Sequence, residues 1–160
     1  MKIQIVAVGR LKAGPERDLC TRYAERFKGL MRSCGISELK LTELPESPAR
    51  RSEDRQVEEA RTILAALPAT ATRVVLDERG KTLNSTEFAE TLRRLRAATV
   101  ETASFIIGGP DGLALDLRAN ASLSFCFGRL TMPHQIVRAL LLEQLYRAGT
   151  ILTGHPYHRA

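Results

Sequence analysis

All three histidines of the chain, His134, His155 and His158, fall in its C-terminal part, and two of them stand in the closing run His155, Pro156, Tyr157, His158, Arg159. An imidazole, a phenol and a guanidinium this close together are a set of proton acceptors, donors and aromatic surface that can fold over a substrate. The same residues also suit a disordered polar terminus, and their types alone do not separate the two readings. A metal pair is not expected: Pro156 spoils a helical spacing between His155 and His158, and no cysteine or carboxylate lies nearby in sequence.

A second group with chemical possibilities is the run Gly108, Gly109, Pro110, Asp111, Gly112, which follows an apolar segment. Glycine lets a backbone turn sharply or approach a ligand closely, but a plain tight turn uses the same residues. Position says more than composition, because ligands of parallel α/β sheets bind at the carboxyl ends of strands. Asp77, Glu78, Arg79 and Gly80 end the preceding apolar segment in a similar way. No G-x-G-x-x-G follows the first strand and no G-x-x-x-x-G-K-[ST] occurs, which disfavours a dinucleotide fingerprint and a P-loop.

These groups must be positioned by an alternation of β-branched runs and helical segments, the signature of an α/β domain with a largely parallel sheet. Strands are expected over Lys2 to Val8, Leu39 to Leu44, Arg73 to Asp77, Ala103 to Ile107 and Ser124 to Leu130, the third and fourth fully buried. Pro15 opens an amphipathic helix carrying Leu19, Tyr23, Phe27, Leu30 and Met31. A second helix should run from about Ser52 to Leu67, and a third should begin at Asn84 or Ser85 with Glu87 in its first turn. The stretch from Pro45 to Arg55 reads as a mobile loop. In the last helix, opened by Pro133, the residues Ile136, Leu140, Leu141 and Leu145 cover more than one face, which suits either the centre of a core or, the favoured reading, half of a subunit interface.

The chain has 160 residues, 44% of them hydrophobic and 26% charged, enough for one core and one domain over residues 1–160. Its net charge of +6 favours an acidic partner such as nucleic acid without excluding other basic enzymes. The denser arginine groups, around Arg22, Arg51 and Arg94, suit solvated helix faces better than phosphate contact. Cys20, Cys34 and Cys126 are odd in number and widely spaced, so reduced, buried thiols are expected and no disulfide framework. The N-terminal MKIQIVAVGR lacks a secretory signal and no run approaches membrane-spanning length, so a cytoplasmic location with no membrane partner is expected.

Four segments carry a resemblance: VVLDERGK at 74–81, FIIGGPDG at 105–112, LTMPHQIVRALLLEQLYRA at 130–148 and the closing HPYHR. Together they resemble the SPOUT methyltransferases, in particular the family that methylates a pseudouridine of large-subunit ribosomal RNA, and the likeness runs the length of the chain. The resemblance implies an α/β-knot, a largely parallel sheet flanked by helices whose C-terminal portion is threaded into a trefoil, although physical priors alone disfavour knots. It implies a homodimer in which the closing helix packs against its twin. It also implies an S-adenosylmethionine pocket formed by Leu76, Gly108 and the loop of Phe127, Gly128, Arg129, Leu130, Thr131 and Met132, with Leu76, Leu130 and Met132 as apolar walls. Relatives often carry Leu-Ser where this chain has Phe127 and Gly128, so a hydroxyl contact there is lost.

The reaction implied is methylation of N3 of a pseudouridine in helix 69 of 23S rRNA on the assembled ribosome. His158 is then the candidate base, Tyr157 stacks on or bonds the target base, and Arg159 meets phosphate. Arg138 and His134 are second candidates for organising the site. Two other readings are kept open: a non-catalytic ribosome-binding protein of the same fold, and a small-molecule α/β enzyme with no RNA partner.

Overall fold

The computed structural model describes residues 1–159. Strand β1 (Lys2–Val8) shows why the sheet is covered on both sides. Ile3, Ile5 and Ala7 join one core, Val6 and Val8 the opposite one, and all five are fully buried. Such two-sided burial demands a helix layer on each face. The first face is covered by α1 (Pro15–Leu30), α3 (Ser85–Ala97) and α5 (His134–Thr153), the second by α2 (Ser52–Ala66) and a short α4 (Leu115–Ala119).

The five strands are all parallel in the order β2-β1-β4-β3-β5, with β2 (Glu38–Leu44), β3 (Thr72–Thr82), β4 (Thr102–Ile107) and β5 (Leu123–Cys126) beside β1. β4 is buried throughout as expected. β3 is buried only from Val74 to Leu76, because its second half leaves the sheet centre. On the α2 face, Gln4 and Ser104 satisfy one another, and the Gln4 amide donates to the Ala66 carbonyl at the end of α2.

Local signals account for most boundaries. Asn84 caps α3 and Glu87 closes the reciprocal capping box, while Gly154 ends α5 in the left-handed region. Three boundaries differ from expectation, the first being the end of β3, which runs on to Thr82 instead of stopping at Asp77 because pairing with β5 resumes at Lys81. The strand expected over Ser124 to Leu130 stops at Cys126, because Gly128, at φ +146°, turns the chain out of extended geometry into a loop. The loop expected over Pro45 to Arg55 is shorter, because Ser52 starts α2 and Glu53 and Asp54 place negative charge in its first turn. α4 had no counterpart in the sequence reading, being too short for a periodic signal.

α5 resolves the alternative left open by its apolar surface. Leu141, Leu142 and Leu145 are at most 1% exposed within the single chain, packed against α1 and α3. The helix is therefore central to the core. Of the residues offered for an interface, Ile136 is exposed and Leu140 half-buried, while Leu141 and Leu145 are spent on the chain's own packing.

One irregularity shapes the functional edge of the sheet. Leu76 and Lys81 both register with Phe125, so residues 77–80 bow around β5. At Gly80 the two backbones touch: a Cβ there would stand 2.5 Å from the Phe125 nitrogen. A loop drawn this tightly around a later segment is consistent with the threaded C terminus of an α/β-knot.

Candidate active site at the carboxyl edge of the sheet

The ends of β3, β4 and β5 converge with the start of α5 around a cavity of about 250 Å³. Leu76, Ile107, Phe125 and Val137 give it apolar walls; Asp77, Arg118 and Thr131 bring polar groups to it. Ligand sites commonly combine apolar walls with a few fixed polar groups. The glycine loop closes on itself, the Gly112 amide donating to the Gly109 carbonyl at 3.0 Å. Gly108 has no room for a side chain, since a Cβ would lie 2.9 Å from the Gly112 carbonyl carbon.

Most of the expected donor-binding residues gather here. Leu76, Gly108, Phe127, Gly128, Leu130, Thr131 and Met132 all line the cavity, and Arg129, which is exposed, does not. Phe127 is set edge-on against Phe125, ring centroids 5.5 Å apart. Leu130 is 79% exposed and forms part of the rim, in contrast to the wall expected of it, because its loop projects beyond the sheet. Gly128 brings no hydroxyl to the cavity, and its backbone takes a φ of +146° that side-chain-bearing residues rarely adopt.

The expected catalytic residues are divided. His134 lines the cavity, its side chain 16% exposed and 3.8 Å from Glu46. Burial pushes its imidazole below the ordinary histidine range, outweighing the pull of Glu46 in the other direction. Gly9 makes this placement possible, because a Cβ at residue 9 would stand 2.7 Å from His134 Nε2.

Arg138 faces elsewhere and is fully buried. It pairs with Glu43 and donates to the Gly9 carbonyl at 2.7 Å, tying α5 to the end of β1. Because those partners occupy it below the sheet edge, it holds the fold around the site and does not line the cavity.

The tail is neither frayed nor at its own chain's cavity. The Tyr157 ring packs on Tyr146 with centroids 4.7 Å apart, its hydroxyl donates to Glu143 at 3.1 Å, and Arg147 lies over its face. Burial, the neighbouring Tyr23 hydroxyl and the charge of Glu143 push the Tyr157 phenol up to about 12. Tyr157 is thus part of the packed structure, against the reading of the tail as a disordered polar terminus. His158 is half-buried with Nδ1 enclosed and lacking a hydrogen-bond partner among the described residues, and Arg159 is exposed. Ala160 lies outside the described residues. Tyr146, on which the tail rests, is three turns along α5 from His134, about 18 Å at 1.5 Å per residue.

Sequence reasoning did not single out Gln56 or Arg118 as lining residues. Gln56 sits on a helix remote in sequence, and Arg118 rides on the five-residue α4. All three cysteines are buried and free, as expected. No helix among the described residues is long and apolar enough to cross a membrane.

A parallel α/β domain with a cavity formed by three loops at the carboxyl edge, one strand bowed around another, is consistent with the architecture of an α/β-knot methyltransferase. The family model described as "Predicted SPOUT methyltransferase" matches residues 1–158, and the chain belongs to that family. It is 53% identical over 160 residues to "Ribosomal RNA large subunit methyltransferase H" of Bradyrhizobium diazoefficiens, and 51% identical to the protein of that name from Xanthobacter autotrophicus, with all of both chains covered in each case. Among solved structures, a probable methylase family protein from Haemophilus influenzae superposes with a TM-score of 0.51 at 15% identity, covering 99% of this chain and 70% of that one, a likeness of fold.

Proposed function

We propose that this protein is an S-adenosylmethionine-dependent methyltransferase of large-subunit ribosomal RNA, acting on N3 of a pseudouridine in helix 69 of 23S rRNA in the assembled ribosome. The observation that carries the reading is the convergence of Leu76, Gly108 and the 127–132 loop on one cavity, in a chain matched over its full length by relatives of that name. The residues present fit the donor. Strand-end backbone at Leu76, Gly108 and the 127–132 loop is available to an adenine edge, Leu76 and Met132 face its rings, and Asp77 and Arg118 offer opposite charges to an amino-acid end.

Bound there, S-adenosylmethionine supplies an already activated methyl group, so the chain's own work is alignment and removal of the N3 proton. His158 accepts that proton as the new N–CH3 bond forms, Tyr157 fixes the wall on which the base rests, and Arg159 meets phosphate. Since the tail is held far from its own cavity, it reaches a cavity only on a second copy. The working unit is therefore a homodimer with composite sites, in the cytoplasm where ribosomes are found. Were the tail dispensable for transfer, His134 would be the base, a reading favoured by its place in the cavity.

The test is transfer of labelled methyl to ribosomes lacking the modification. Transfer to N3 of the helix 69 pseudouridine is expected, with intact ribosomes a better substrate than the isolated hairpin, because a small domain has little surface of its own for RNA. No transfer to such ribosomes, or equal rates on the naked hairpin, would overturn the respective part of the proposal.

A further inference from the structure

The glycine loop has a partner that the cavity does not explain. Asp111 turns its carboxylate away from the loop to Arg55, near the start of α2, which meets it as a fork: Nε to Oδ2 at 2.6 Å and one terminal nitrogen to Oδ1 at 2.7 Å. The other terminal nitrogen of Arg55 donates to the carbonyls of Ala49 and Arg50, so one planar group ties the glycine loop to the segment before α2. The next residue adds a second tie: the Gln56 amide donates to the Asp111 carbonyl at 2.6 Å. Behind both, the buried Glu59 stands close to Gly109 and accepts the Ser47 amide.

We infer that Arg55, with Gln56, is a positioning residue for methyl-donor binding: a latch on α2 that holds the loop 108–112 in the conformation presenting Gly108 to the cavity. The inference rests on the donor assignment proposed above. Gly108 and Gly109 are packed at the strand end, but the exposed turn that follows them has little of its own to fix it. The loop's backbone turn is closed by one hydrogen bond, Gly112 is in the left-handed region at φ +78°, and three of its five residues are glycines with no side chain to pack. A bidentate arginine–carboxylate pair supplies direction as well as attraction, which a lysine cannot reproduce. Both charges hold the pair in its ionised form, the carboxyl pushed below the usual range by the guanidinium it meets.

The test compares wild type with Arg55→Ala, Arg55→Lys, Asp111→Asn and the double variant Arg55→Ala/Asp111→Asn, titrating S-adenosylmethionine calorimetrically and following exchange of the Gly112 amide without donor. Each single variant is expected to weaken donor binding by about tenfold, the scale of one charge-assisted pair, with the double variant no weaker than the singles because both remove the same contact. KM for the donor should rise while kcat at saturating donor and KM for ribosomes stay near wild type, and Gly112 exchange should speed up. Donor affinity within about twofold of wild type in both single variants, or losses that add in the double, would overturn the latch. A wild-type protein that fails to bind the donor would overturn the functional reading instead, and unchanged Gly112 exchange in the variants would then still refute the latch.

Discussion

Arg138→Met separates the structural from the catalytic use of a residue that sequence reasoning placed at the active site. The side chain is fully buried, paired with Glu43 and bonded to the Gly9 carbonyl, and a methionine of similar length keeps most of its volume but none of its donors. Breaking a buried ion pair costs about 3–5 kcal/mol, because the remaining charge stays desolvated. Glu43 is 32% exposed and recovers part of its hydration once freed, which places the loss near about 3 kcal/mol. For a chain of this size that corresponds to a fall in Tm of about 6–12 °C. The assay is thermal melting of wild type and variant at equal protein concentration, beside donor titration at a temperature where both are folded. Donor affinity should change little, since Arg138 does not line the cavity. An unchanged Tm with donor binding lost would refute the placement of Arg138 as a tie between α5 and β1.

Gly108→Val should abolish donor binding while leaving the chain folded, because even a Cβ meets the Gly112 backbone at 2.9 Å; retained affinity in calorimetry would remove this loop from the site. Tyr157→Ala should cost about 2 kcal/mol, the sum of an aromatic pair and one hydrogen bond, read as a lower Tm, whereas His158→Ala should leave Tm near wild type and depress methyl transfer by orders of magnitude. The depressed pKa of His134 means that the unfolded chain binds its proton first as pH falls. Its contribution to stability is thus full above the unfolded pKa and lost as pH drops through that value toward the folded one, so His134→Gln should flatten the Tm–pH curve below about pH 7.

The parallel α/β class, four helix starts and the gathering of Leu76, Gly108 and Met132 could be read in the chain because each has a local cause. Alternating apolar runs set the strands, the Asn84 and Glu87 box sets a helix start, and strand ends collect ligand loops. What could not be read depends on which surfaces meet. The leucines of α5 have one pattern whether they face α1 and α3 or a second subunit, so periodicity alone pointed to an interface where the chain has its core. Arg138, read as a site residue from its place at the start of that helix, is drawn to Glu43 across 95 residues of sequence. The tail is anchored by Tyr146, Glu143 and Arg147, none of them its sequence neighbour, and its lack of apolar periodicity hid that.

The bow of β3 around Phe125 shows how the same physics makes the site and conceals it. The dipeptide Arg79–Gly80 looks like the end of a strand, yet the chain resumes pairing at Lys81, and only a glycine at residue 80 allows the later strand to pass at backbone contact. That crossing sets Asp77 and Glu78 beside the 127–132 loop, where Glu78 accepts from the Thr131 hydroxyl at 3.4 Å, so two segments fifty residues apart become one wall. The cavity therefore exists only once residues 123–132 have been drawn past residues 76–82. A site that depends on a tight crossing cannot form early, because the loop must close and the later segment must find it, and long-range closure carries an entropic cost before any contact offsets it. Donor binding should accordingly be among the last properties regained on refolding, after the helical signal has returned, and binding that recovered in step with helix formation would count against the crossing as the step that completes the site.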